Sequence, residues 1–145
     1  MPSRFKISFL FGLIIFFNSS SVISQSNPEK ASRMKVQGIY LYSFAKNVYW
    51  PSAYSTGDFT IGIYGSKDLF DQLNTNFKGK MTGSQNIIFD FYESTSDISD
   101  CHMLFIGKEE TSTIPKVKKV LDEKTLLVTE LADISNSSSS MINFV

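Results

Sequence analysis

A chain of 145 residues, 42% hydrophobic, 14% aromatic and 19% charged, has the makeup of one globular domain and excludes a disordered chain. Its 14 Lys and Arg balance 14 Asp and Glu with no long basic run, so the electrostatic footprint of a nucleic-acid binder is missing. With 1 Cys and 1 His there is neither an intrachain disulfide nor a credible zinc set.

Arg4 and Lys6 precede an uncharged apolar run, Ile7 to Phe17, and a Ser-rich stretch that ends in Val22-Ile23-Ser24. This is the pattern of a secretory signal peptide covering residues 1–24, with cleavage between Ser24 and Gln25. A membrane anchor is the other reading, but the apolar core falls well short of the roughly 20 residues that span a bilayer. Cleavage takes the 14 basic residues to 12 against 14 acidic ones, leaving residues 25–145 with a net charge of about −2. Stability without paired cysteines then rests on an ordinary packed core.

Asn27-Pro28-Glu29 is a helix start, with a capping Asn, a proline tolerated in the first turn and an acid at the positive end of the helix dipole. Met34, Leu41, Phe44, Ala45 and Val48 keep the spacing that gathers side chains on one helix face, which is expected to be buried. Trp50 stands before Pro51, a position pushed out of the α region, so the helix is expected to run from Pro28 to Tyr49. Phe59, Ile61 and Ile63 alternate with Thr60, Gly62 and Tyr64 as in a strand that runs to Gly65. Ser66-Lys67-Asp68 opens a second helix, with Leu69, Phe70, Leu73 and Phe77 at helical spacing and Gly79 closing it. Lys80 to Gln85 reads as a polar loop and Asn86 to Tyr92 as a second strand.

After the polar stretch Glu93 to Asp100, Cys101 to Gly107 holds four consecutive apolar residues, the pattern of a central strand covered on both faces. Ile114, Val117, Val120 and Leu121 mark a short third helix, and Thr125 to Thr129 another buried strand. A serine tract at Ser137 to Ser140 reads as a loop before the closing Met141 to Val145. Strands alternating with helices predict a single α/β domain, with a mainly parallel sheet of about five strands and helices on both faces.

Cys101 and His102 are the one possible Cys-His pair, but adjacent residues at a strand start point to opposite faces and do not form a dyad. Cys101 is expected to be a buried core thiol and His102 a surface or strand-end residue. Gly62 to Lys67 resembles a phosphate-binding turn but lacks both glycine fingerprints, so a tight turn with a Ser cap is the preferred reading. In open parallel sheets ligands bind beyond the carboxyl ends of the strands, which carry Ser66, Lys67, Glu93, Lys108, Glu109 and Glu130; their mixed signs name no ligand. No nucleophile, base or metal set can be assembled, so an enzyme is the least favoured class and no cofactor is expected.

Val36, Ile39 and Tyr40 project away from the Leu41 and Val48 face, giving the first helix a second apolar side. Another chain, a flanking loop or a further C-terminal element would cover it. Trp50 either plugs the helix end against the sheet or joins that contact surface.

YLYSFAKNVYWP (Tyr40 to Pro51), FTIGIYG, CHMLFIG (Cys101 to Gly107), TLLVTEL (Thr125 to Leu131) and the closing MINFV occur in the order found in YfiR-like periplasmic proteins, which the chain resembles from Ala31 to Val145. The resemblance implies an α/β domain that dimerises in the periplasm and represses a membrane-bound signalling protein, a diguanylate cyclase or a sensor kinase, by binding its extracytoplasmic part. Ser139 and Ser140 stand where relatives usually carry a glycine pair, and the further strand and helix with which relatives continue past this point are expected to be missing here. A regulator with no catalytic site is therefore the preferred expectation, and a small-molecule-binding module the alternative.

Overall fold

The computed structural model describes residues 27–130 and 142–144. The expected leader and its cleavage site, the serine tract, Met141 and Val145 lie outside them. Helix α1 spans Pro28–Asn47, and the Asn27 side chain accepts a 3.0 Å bond from the Glu29 amide as its N-cap. It ends two residues before Tyr49 because Val48 already adopts an extended conformation. Strand β1 (Phe59–Tyr64) follows, then helix α2 (Lys67–Phe77), with Gly65 and Gly79 at φ 73° and 77°, a region side chains resist. Ser66 holds the N-cap position of α2 but its side chain makes no capping bond, contrary to the expected Ser cap.

The segment expected to be a loop, Lys80 to Gln85, contains the two-residue strand β2 (Met81–Thr82), which pairs antiparallel with β3 (Gln85–Tyr92). Gly83, at φ 55°, lies in the turn between them, so a polar hairpin tip makes a strand where the hydrophobic pattern shows none. Strand β4 (Met103–Ile106), a 3₁₀ segment (Lys108–Thr113), helix α3 (Ile114–Val120), β5 (Leu126–Glu130) and β6 (Ile142–Phe144) complete the described chain. Among the described residues the sheet has six strands, against about five expected, in the order β2-β3-β1-β4-β5-β6, and every pairing but β2 with β3 is parallel.

Alternation along the strands divides the interior in two. Phe59, Ile61 and Ile63 of β1, with Met103 and Phe105 of β4 and Val128 of β5, pack against Leu41 and Ala45 of α1 and Leu69 and Leu73 of α2. Tyr64, Leu104, Ile106 and Leu127 meet Ile114 and Val117 of α3 in the other cluster. The connection through α2 carries the chain from β1 to one side of the sheet, and that through α3 carries it from β4 to the other. The strand order therefore reverses between β1 and β4, the switch point at which open α/β sheets leave a crevice at the strand carboxyl ends.

Candidate functional site

A cavity of about 530 Å³ occupies that crevice, within the usual span of about 300–1,000 Å³ for small-molecule sites. Gly65, Ser66 and Lys67 border it after β1, Lys108 and Glu109 after β4, and Glu130 at the end of β5. Asn27, the N-cap of α1, and Lys30, Arg33, Met34 and Gln37 in its N-terminal half supply another side of the wall, and Asp68 of α2 completes it. Five of the six strand-end residues named from the sequence thus meet in one place. Glu93 does not: it follows β3, outboard of β1 in the sheet, and is exposed outside the cavity.

Most of the charges here are already paired. Lys30 bonds Asp68, Lys67 bonds Asp71, and Arg33 reaches Glu130 at 3.2 Å. Gln37 lacks such a match: it is 2% exposed, and its side-chain nitrogen has no hydrogen-bond partner among the described residues. A lone glutamine in an amphipathic helix carries no motif, so nothing in the sequence marks Gln37.

The apolar strip is a separate set of side chains on the same helix. Val36, Ile39 and Tyr40 are 47%, 49% and 49% exposed, beside a fully buried Leu41. Tyr40 leans on the edge strand, with its ring 5.9 Å from that of Phe144, and the outer edge of β6 has no strand partner among the described residues. Trp50 stands apart from this strip. It is half-buried, packs edge-on against Phe59 at 4.9 Å and donates from Nε1 to the Ala45 carbonyl at 3.1 Å, closing the end of α1.

At the opposite end of the sheet from the cavity, His102 is buried rather than a surface residue. Its ring sits between Phe59 and Tyr54, at 4.3 and 4.7 Å, because the turn Ser52–Tyr54 folds over the start of β4. Nδ1 accepts the Thr60 amide proton at 3.1 Å, which places the ring proton on Nε2, donated to the Tyr54 carbonyl at 3.1 Å. Burial lowers the His102 pKa, against the opposing pull of the Tyr54 bond. As pH falls through about 6.5 the unfolded chain takes up this proton while the folded chain resists it, so stability falls from there downward. His102 is the only histidine, so urea midpoints between pH 7.5 and 5.5 should decline in the native protein and much less in His102→Gln. An unchanged midpoint across that window in the native protein contradicts the buried neutral ring.

Cys101 belongs to the α3-side cluster, 1% exposed, and desolvation pushes its thiol up to about 12. His102, engaged at Thr60 and Tyr54, does not serve that thiol as a base. Native protein should react with a thiol reagent at least about a hundredfold more slowly than unfolded protein, because labelling of a buried thiol requires an opening of about 3 kcal/mol or more. Rapid labelling of the native chain contradicts this.

The family described as YfiR/HmsC-like matches residues 34–145. No curated protein and no solved structure matches the chain.

Proposed function

This chain belongs to the YfiR/HmsC-like family, and on that premise we propose that it is a periplasmic regulator that binds and represses a membrane-bound signalling protein, of the diguanylate cyclase or sensor kinase type. The observation that carries the reading is the double-sided α1. Leu41 and Ala45 are fully engaged with the sheet, while Val36, Ile39 and Tyr40 present a second apolar strip about half in water. A contiguous apolar strip beside a strand whose outer edge has no partner among the described residues suits contact with another chain better than it suits solvent. The occupant is the extracytoplasmic part of the signalling protein, or a second copy of this chain in a homodimer from which that protein draws its regulator. Repression by such a surface requires no catalytic group, in keeping with a Cys101 and a His102 that are both committed to packing.

The test is photo-crosslinking in the source cells from a reactive side chain placed at Val36. Capture of an inner-membrane signalling protein, with no capture from Lys118 on α3, supports the proposal. Capture from neither position, or equal capture from both, overturns it.

A further inference from the structure

The cavity at the switch point has features that the docking strip does not use. α2 is 11 residues long, and its first turn faces the cavity through Ser66, Lys67 and Asp68. The Ser66 side chain leaves the leading amides without a cap, so backbone N–H groups and the positive end of the helix dipole meet there. Gly65, at φ 73°, makes the turn that brings them to the cavity wall.

Gln37 supplies the independent observation. A buried amide nitrogen without an acceptor is costly, and native interiors rarely leave one so. It lies in the wall of a polar cavity large enough for a small organic molecule. Both features lack the same thing, a hydrogen-bond acceptor. Lys108, also in the wall, has no carboxylate within salt-bridge distance among the described residues.

We propose that this cavity is a binding site for a small organic oxyanion, held by the first-turn amides of α2, the Gln37 carboxamide and the Lys108 ammonium. The pairing of Lys30, Arg33 and Lys67 with neighbouring acids leaves little net positive field. Directional donors, rather than accumulated charge, therefore set the affinity, which favours a singly charged carboxylate over a phosphate dianion. The site does not depend on the regulatory reading, since it stands on α1 residues other than the strip.

The experiment is an NMR titration of the 15N-labelled protein with acetate, glutamate and inorganic phosphate, at ionic strength held constant with sodium chloride. Saturable shifts at the Lys67, Asp68 and Leu69 amides and at the Gln37 side-chain amide are expected with a carboxylate. Gln37→Met removes one charge-assisted bond without emptying the space and should weaken that binding about tenfold or more. The same variant should melt no earlier than the native protein, because the orphan amide is gone. Lys108→Ala, on the exposed rim, should weaken binding by about threefold and provides the check if Gln37→Met does not fold. Saturable shifts with phosphate alone keep the oxyanion site and assign it to phosphoryl ligands. Absence of saturable shifts with all three probes, or equal affinity in Gln37→Met, overturns the proposal.

Discussion

Leu41→Glu should abolish folding, whereas Ile39→Glu, two residues away on the same helix, should leave the fold intact and weaken association with the partner chain. Leu41 is fully buried among Phe59, Ile61, Phe105 and Leu73, so a carboxylate there loses its hydration and gains no partner. That penalty is about 4–5 kcal/mol or more, comparable to the whole stability of about 5–15 kcal/mol expected of a small domain. Ile39 is half exposed, and a glutamate there changes the stability of the isolated domain by about 0.5 kcal/mol or less. In a docked strip the same carboxylate is desolvated, which costs about 2 kcal/mol, or about thirtyfold in affinity. Thermal melting separates the two variants, and light scattering with crosslinking reads association. Equal melting losses for both would place Ile39 in the core, and no change in association would leave the strip merely exposed.

The second large effect comes from Gly107, where β4 leaves the sheet beside the turn that follows β1. Its φ of −67° suits any residue, so the constraint is one of space alone. A Cβ at that position would lie 2.5 Å from the Gly65 carbonyl oxygen and 2.9 Å from its carbon. Backbone, not a flexible side chain, would have to give way, separating β1 from β4 at the mouth of the cavity. Gly107→Ala should cost about 2–3 kcal/mol. For a domain of this size that lowers the melting temperature by about 8–12 °C. Gly79→Ala is the comparison: Gly79 has φ 77° but nothing near its missing Cβ, so only backbone strain of about 1 kcal/mol is added. Equal losses for the two variants would show that backbone conformation, not the close approach, governs Gly107.

The parts of the fold that were legible in the sequence are those set by local periodicity. The inner stripe of α1, the alternation in β1 and the apolar run of β4 each fix which side chains turn inward, and Leu41, Ile61 and Phe105 meet accordingly. The outward position of Val36, Ile39 and Tyr40 follows from the same spacing. What was not legible depends on which distant segments the topology brings together. His102 looks like a polar strand-end residue until the Ser52–Tyr54 turn closes over it. Glu93 ends a strand like Glu130 does, but the sheet order sets β3 outside the crevice. Gln37 acquires meaning only because α1 crosses the ends of β1, β4 and β5, where the cavity forms. The hairpin strand β2 escapes a hydrophobic pattern because its two residues pair at an edge through backbone bonds rather than through burial.

Repression through the α1 strip is tested by the output of the membrane signalling protein in isolated membranes. Purified native chain and Ile39→Glu would each be titrated into membranes carrying the crosslinked partner. The readout is cyclic diguanylate synthesis for a cyclase, or autophosphorylation for a kinase. Native protein is predicted to lower that output saturably, with Ile39→Glu requiring about thirtyfold more protein for the same effect. Output unaffected by the native chain, or lowered equally by both proteins, would contradict the account.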